Sequence, residues 1–341
     1  MVAASEVTYG ITVQATVAAP AAGAEQTAAG ALAVHMATTE AFLRTLKPPF
    51  DTVWVEDHLQ WGERPLIECW TALTWLAARL ENLNFGNIVL GQSYRNPALT
   101  AKMASVVQML TGGRLILGLG AGWKEDEYLA YGYDYPSGGV RVEQFAEACA
   151  VIKAMCASSP ASFEGKHYRI NNAYNEPQPE AAIPLLLGGQ GAKSLRVCAQ
   201  YADWWNAAFN TVEDFAAKLD SLRQQCAEIG RDFATIKLTY YGFLQITDDP
   251  AQIEQRPGLH MQAGNPQQVA AELQQFIDLG VSHFMFRLVG FPDTSSYDRL
   301  LAEVLPLLRL GADHLDCAPV ANLLACPGWG NPANCCAVPP S

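Results

Sequence analysis

The sequence predicts an α/β protein built as a closed (β/α)8 barrel, the TIM-barrel architecture. Strand-like and helix-like segments alternate along most of the 341 residues, which favours a parallel sheet with helical crossovers. Several of the strands are short apolar runs, as expected when both faces of a sheet are covered. Eight such units fit a closed barrel better than an open sheet, and barrels commonly exceed about 250 residues as one domain.

The elements follow one another regularly. We predict strands at 8–14, 52–56, 84–90, 114–119, 183–187, 203–207, 236–246 and 283–289. Helical patterns occupy 66–79, 97–110, 140–155, 192–201, 212–229 and 266–279, and a weaker one lies between the first two strands. We therefore expect residues 1–310 to form a single barrel domain. Residues 311–341 are rich in Pro, Cys, Asn and Gly without periodicity, which predicts an irregular C-terminal tail.

Composition excludes several classes of partner. The chain is 50% hydrophobic and 16% charged, with a formal net charge of -12. Such an acidic chain lacks the basic surface that nucleic acids require, and it disfavours anionic membranes. The sequence has no run of about 18 consecutive apolar residues, so no segment is predicted to span a bilayer. The N-terminus lacks the pattern of a secretory signal, so we expect a cytoplasmic protein.

The stretch "GGRLILGLGAGW", residues 112–123, resembles a nucleotide-binding turn at first sight. A dinucleotide fingerprint needs G-x-G-x-x-G, but the third position is Trp123 or Glu125, depending on the register. At the end of a barrel strand, glycines can instead let a flat ligand approach the backbone. We therefore predict that Gly120 and Gly122 bind a ligand, with Trp123 as an aromatic wall. The alternative is a tight turn with a buried Trp.

Five segments together carry a family resemblance. They are "DTVWVEDHLQW", "NIVLGQSYRNPALTAKMASVVQML", "GGRLILGLGAGWKEDEYLAYGYDYP", "PLLLGGQGAKSLRVCAQYADWWN" and "GNPQQVAAELQQFIDLGVSHFMFR". Each falls at the expected strand, in order, between residues 52 and 310. In this register the chain resembles the luciferase-like family of flavin- and deazaflavin-dependent oxidoreductases, in particular its coenzyme F420-dependent branch. The family fold is the same barrel.

Asp57 and His58 follow the second predicted strand and are the candidate catalytic residues. A histidine exchanges protons near neutral pH, which suits a partner to hydride transfer at an alcohol or carbonyl carbon. The resemblance implies that His58 lies beside the cofactor ring and serves the substrate. A purely structural hydrogen bond at a strand end is the alternative.

The segment "GGQGAKSL" follows the fifth predicted strand. Its glycines leave backbone amides exposed just before a helix N-terminus, where phosphate groups bind readily. The cofactor-binding residues expected here are Gly188, Gly189, Gly191, Lys193 and Ser194. A plain β–α turn is the alternative.

The resemblance also implies a non-proline cis peptide behind the central cofactor ring, at Ile88–Val89. Some deazaflavin dehydrogenases carry a carboxylate directly after the Gly-x-Gly, where this chain has Trp123. That difference argues against the sugar-phosphate dehydrogenase mechanism. Glu127 could substitute, but a solvated helix face is the favoured interpretation. No histidine has partners at metal-ligand spacing, so no metal site is expected.

The resemblance implies an oxidoreductase that uses coenzyme F420 to move a hydride to or from a small organic substrate. Two alternatives stay open. One is an FMN-dependent monooxygenase that uses O2 and receives reduced flavin from a partner reductase. The other is a barrel that binds flavin without turnover. A homodimer is expected because dimers are common in families of this kind.

Overall fold

The computed structural model describes residues 7–17 and 27–309. The strands, in chain order, are β1 (Thr8–Val13), β2 (Phe50–Val55), β3 (Asn84–Asn87), β4 (Leu90–Gly91), β5 (Leu115–Gly120), β6 (Ala161–Glu164), β7 (Arg169–Ala173), β8 (Leu185–Gly188), β9 (Trp204–Ala208), β10 (Lys237–Ile246), β11 (Met261–Gly264) and β12 (Val281–Leu288). The helices are α1 (Ala28–Leu43), α2 (Cys69–Ala77), α3 (Pro97–Leu110), α4 (Glu125–Ala130), α5 (Gly138–Ala157), α6 (Ala192–Tyr201), α7 (Val212–Glu228), α8 (Pro266–Asp278) and α9 (Ser295–Arg299).

Eight of the strands close into a parallel barrel. The order is β1, β2, β3, β5, β8, β9, β10 and β12, and β12 pairs with β1 to complete the ring. The predicted (β/α)8 fold is therefore confirmed, with each barrel strand at a predicted position. The predicted strand at 84–90 is interrupted: β3 ends at Asn87, and the chain pairs with β5 again as β4. Three strands were not predicted: β11 pairs with β10, and β6 and β7 form an antiparallel hairpin. The predicted tail at 311–341 lies outside the described residues.

The helices begin where their sequences provide capping groups. Asn96 accepts a hydrogen bond from the Ala98 amide at 2.9 Å, and Pro97 occupies the first turn of α3. Asn265 and Gln268 form a reciprocal capping box at the start of α8. Such caps satisfy amides that a helix N-terminus would otherwise leave unpaired. In the described part of the chain, no helix is long and apolar enough to cross a membrane.

The barrel interior is filled around Trp54, which is fully buried. A Cβ atom at Gly10 or Gly86 would overlap its ring, so both neighbouring strands must carry glycine there. The Trp54 indole N–H donates to His283 Nε2 at 3.1 Å, and His283 Nδ1 lies 2.7 Å from Thr8 Oγ1. Burial lowers the pKa of His283 well below its ordinary value, so this histidine is neutral. The packed interior closes the barrel beneath the C-terminal ends of the strands, where barrel enzymes carry their sites.

Candidate active site

A cavity of about 760 Å³ opens at the C-terminal ends of the barrel strands. This volume lies within the usual range for small-molecule and cofactor sites. Most of the predicted site residues line it: Asp57, His58, Ile88, Val89, Gly120, Gly122, Trp123, Gly188, Gly189 and Ser194. Gly191 and Lys193 are not part of the cavity wall. They belong to the start of α6, just behind Gly189.

The peptide between Ile88 and Val89 is cis, as the resemblance implied. It forms a bulge between β3 and β4, and neighbouring glycines make room for it. A Cβ at Gly118 would overlap the Asn87 carbonyl, and one at Gly120 would lie 2.7 Å from Val89 Cγ2. The missing side chain at Gly120 thus accommodates the protein's own bulge. Gly120 also lies on the cavity wall, so its contact with a ligand stays a prediction.

Gly122 and Trp123 end the glycine stretch at the cavity rim. Gly122 has φ of +77°, and a Cβ there would overlap the Tyr128 hydroxyl, so this position requires glycine. Trp123 is 64% exposed, so the alternative of a buried Trp is wrong. The residue forms an aromatic wall together with Trp61, whose ring centroid is 6.2 Å away.

His58 packs against both of these aromatic rings. Its ring centroid is 4.9 Å from that of Trp61 and 5.9 Å from that of Trp123, and both contacts are edge-to-face. His58 Nδ1 is 2.7 Å from Glu127 Oε1. Among the described residues the second ring nitrogen, Nε2, has no hydrogen-bond partner. Nε2 is not fully buried. Because His58 lines the cavity, this nitrogen is accessible from it.

Glu127 is fully buried, and the expectation of a solvated helix face is wrong. Besides His58, it accepts hydrogen bonds at 3.0 Å from the Leu59 amide and from the Tyr94 hydroxyl. Burial alone would raise the pKa of Glu127, but the hydrogen bonds from His58 and Leu59 outweigh it and lower the pKa. Glu127 is therefore an ionised carboxylate behind His58. The helix α4 that carries it spans only six residues, too few for periodicity to show which side faces the protein.

Asp57 is paired rather than free. Both of its carboxylate oxygens accept from Arg95 at 3.0 Å, and Oδ2 also accepts from the Gly91 amide at 2.9 Å. A bidentate guanidinium pair of this kind fixes geometry strongly. These contacts tie the end of β2 to β4 and would suit a positioning role for Asp57. The catalytic role expected from the sequence stays a prediction.

A second ion pair lies in the cavity wall, and it was not predicted from the sequence. Glu56 Oε1 accepts from the Tyr241 hydroxyl at 2.6 Å, and Glu56 Oε2 accepts from Arg287 at 2.8 Å. The guanidinium groups of Arg287 and Arg256 lie 5.4 and 4.0 Å from the Phe243 ring centroid. These residues come from two strands and two loops, so no local motif could have grouped them.

At the predicted phosphate site, Gly191 caps α6. The Ser194 hydroxyl accepts from the Gly191 amide at 3.1 Å and donates to its carbonyl at 2.9 Å. The Lys193 side chain is nearby, because its Nζ lies 3.7 Å from where a Cβ on Gly139 would stand. Gly139 belongs to the first turn of α5, so the Lys193 side chain reaches from α6 to the start of α5. Arg141, also at the start of α5, lines the cavity.

The charge of the cavity is opposite to that of the whole chain. Its basic lining residues are Arg64, Lys124, Arg141, Arg256 and Arg287, whereas its acidic ones in the described part of the chain are Glu56 and Asp57. Both acids are paired with arginines. Three of the basic residues are paired as well: Arg287 with Glu56, Arg256 with Glu254 and Lys124 with Asp126. In a chain of net charge -12, this concentration of cations favours an anionic ligand.

A (β/α)8 barrel with a cationic cavity and a histidine at its C-terminal rim is the framework of an enzyme that binds an anionic cofactor or substrate. The chain belongs to the luciferase-like monooxygenase family, whose model matches residues 47–278. The resemblance drawn from the sequence is thereby confirmed, and the chain is an oxidoreductase of this family.

The relatives and structural neighbours include both F420-dependent dehydrogenases and a monooxygenase. An F420-dependent glucose-6-phosphate dehydrogenase of Kineococcus radiotolerans is 27% identical over 331 residues, covering 84% of this chain and 96% of that protein. An F420-dependent secondary alcohol dehydrogenase, solved with an F420-acetone adduct, superposes with a TM-score of 0.73 at 18% identity, over 89% of this chain and all of that one. The EDTA monooxygenase of Chelativorans sp. BNC1 superposes with a TM-score of 0.71 at 13% identity, over 89% and 93% of the two chains. The two structural matches show the shared fold.

Proposed function

We propose that this protein is a coenzyme F420-dependent oxidoreductase that transfers a hydride between the deazaflavin and a small organic alcohol or carbonyl compound. The observation that carries the proposal is His58, which presents Nε2 to a cationic cavity while Nδ1 is held by a buried carboxylate. The relative from Kineococcus, matched over most of both chains, supports the choice of cofactor.

The cavity suits a flat ring that carries an anionic tail. The bulge at Ile88–Val89 would support the ring from behind, with the backbone of Gly120, Gly188 and Gly189 along its sides. The tail phosphate would bind at the start of α6, where Lys193 supplies a charge and the first amides have no helical acceptor. When bound, the deazaflavin supplies the hydride chemistry.

The chain's own side chains would handle the proton. His58 Nε2 would accept the proton of a substrate hydroxyl during oxidation and return it to the carbonyl oxygen in the reverse direction. The rings of Trp61 and Trp123 pack edge-to-face against His58 and would limit the access of water. The protein thus contributes position and proton transfer, and the ring contributes the redox chemistry.

An FMN-dependent monooxygenase is the second candidate, because the EDTA monooxygenase shares the same fold over 89% of this chain. In that case O2 would be a substrate, and reduced flavin would come from a partner reductase. A homodimer and a cytoplasmic location stay predictions under either alternative.

Parallel titrations of the purified apoprotein with coenzyme F420 and with FMN, followed by cofactor fluorescence, test the proposal. We expect tight binding of the deazaflavin and weak binding of FMN. A preference for FMN would support the monooxygenase. Binding of either cofactor without turnover on any alcohol, carbonyl compound or enone would leave a non-catalytic flavin-binding barrel. If neither cofactor binds, the site at Gly188, Gly189 and Ser194 is wrongly assigned.

A further inference from the structure

Glu127 reaches His58 from a different part of the barrel. Glu127 lies on α4, after β5, whereas His58 follows β2, and the two residues meet at 2.7 Å between Oε1 and Nδ1. The second oxygen, Oε2, accepts at 3.0 Å from the Leu59 amide and from the Tyr94 hydroxyl. Oε1 also lies 3.6 Å from Lys124 Nζ. The carboxylate is fully buried, so these four groups determine its orientation.

A carboxylate in this position determines which nitrogen of His58 carries the proton. An ionised carboxylate is only an acceptor, so the Nδ1 that faces it must be a donor. The neutral imidazole then has its proton on Nδ1 and a free lone pair on Nε2. Because Nε2 is the nitrogen accessible from the cavity, the ring is set to accept a proton there.

We propose that Glu127 is a positioning residue that holds His58 in the Nδ1–H tautomer and thereby makes Nε2 the proton acceptor for a bound hydroxyl group. This role rests on the proposed function only for the identity of that hydroxyl. The tautomer itself is a property of the protein without cofactor or substrate.

Glu and Gln at position 127 would satisfy the surrounding hydrogen-bond donors in different ways. In a Glu127→Gln variant the side-chain oxygen must face the Leu59 amide, because a backbone N–H can only donate. The amide NH2 group then faces His58 Nδ1, which has to become an acceptor. The variant should therefore carry the proton on Nε2, where the wild type has a lone pair. In serine proteases the corresponding Asp→Asn change leaves the histidine in the wrong tautomer and lowers kcat about 10⁴-fold.

The test is the ring ¹⁵N spectrum of the full-length protein, labelled at histidine and recorded at a pH where the imidazoles are neutral. We expect His58 to be an Nδ1–H tautomer in the wild type and an Nε2–H tautomer in Glu127→Gln. A His58→Ala spectrum identifies its signals among those of the six histidines. His283 is an internal reference, since the Trp54 indole donates to its Nε2 in either protein.

Two controls separate the possible failures. Tyr94→Phe removes one donor to Glu127 but leaves the Leu59 amide, so His58 should keep the Nδ1–H tautomer. If the wild type carries the proton on Nε2, or if Glu127→Gln leaves the tautomer unchanged, the proposal is overturned. Neither result depends on which cofactor binds, so the failure of the proposed function would be recognised separately, in the cofactor titrations.

Once a substrate is found, Glu127→Gln should lower kcat about 10²–10⁴-fold, with the cofactor dissociation constant unchanged. A residue with a purely structural role would weaken cofactor binding or stability as well, without inverting the tautomer.

Discussion

His58, Glu127 and Tyr94 come from three separate segments and meet in one hydrogen-bonded group at the cavity rim. The sequence predicted His58 because a histidine after a barrel strand lies at the catalytic face whatever the neighbouring loops do. It did not predict the burial of Glu127, since that depends on how a short helix packs over the end of β2. Local patterns identify residues at strand ends, but contacts between loops come from tertiary packing.

Replacing His58 by alanine should separate catalysis from binding. We expect kcat to fall at least about 10²-fold, because a positioned proton acceptor is lost, while the cofactor dissociation constant changes little. Steady-state kinetics and fluorescence titration measure the two quantities. Trp75→Phe, at an exposed residue that does not line the cavity, is the matched control. Unchanged kcat in the His58 variant would remove its catalytic assignment.

The bulge after β3 makes a prediction about stability. Gly118→Ala places a Cβ against the Asn87 carbonyl, which is backbone and cannot move aside. We expect the free energy of unfolding to fall by about 3 kcal/mol or more. Gly132→Ala, in open space at φ of +74°, is the control and should cost only the backbone preference of about 1–2 kcal/mol. Urea denaturation measures both, and equal losses would mean that the bulge does not confine Gly118.

At the scale of elements, the barrel strands and main helices were predictable because their apolar runs and caps are local. Asn96 with Pro97, for example, marks the start of α3 in the sequence itself. The hairpin of β6 and β7 was missed because it is four and five residues long and partly exposed. The pair Glu56–Arg287 was missed because the two residues lie 231 positions apart in the sequence. They come together only when β12 pairs with β1 and closes the barrel.

The start of α6 should contribute to cofactor binding through charge. Lys193→Ala removes a cation from the first turn of α6, and we expect about tenfold weaker binding, since hydrogen bonds to charged groups contribute about 1.5–3 kcal/mol. Lys166→Ala, on the distant hairpin connection and paired with Glu143, is the matched control. Fluorescence titration at low and high salt measures the difference, which should shrink with added salt. Equal affinities for the two variants would contradict a phosphate site here.

At the scale of the whole molecule, the buried neutral His283 makes stability depend on pH. Its pKa is lowered in the fold by burial, so below about pH 6.5 the unfolded chain binds a proton that the folded chain does not. Stability is thus complete above that pH and decreases as the pH falls. His260 acts in the opposite direction, because its hydrogen bond to Glu272 raises its pKa. Its contribution is present at low pH and lost as the pH rises through the folded pKa.

We therefore expect the free energy of unfolding to fall between pH 6.5 and 5, by up to about 1.4 kcal/mol per pH unit for His283 alone. His283→Gln should be less stable at pH 7 but should show a shallower decline over this range. Urea denaturation at several pH values gives both slopes. His260→Gln is the control and should make the decline steeper. Parallel declines in the wild type and His283→Gln would assign the acid sensitivity to other groups.

The cationic cavity in an acidic chain has a kinetic consequence. At low salt, where the screening length is about 30 Å rather than about 8–10 Å, an approaching anion meets the repulsion of a net charge of -12. Once inside, it meets five basic side chains. Added salt should therefore speed association slightly and speed dissociation much more, which stopped-flow fluorescence can resolve. Encounters with an anionic cofactor are then infrequent but long-lived, and a cell would keep such an enzyme loaded through slow release rather than rapid capture.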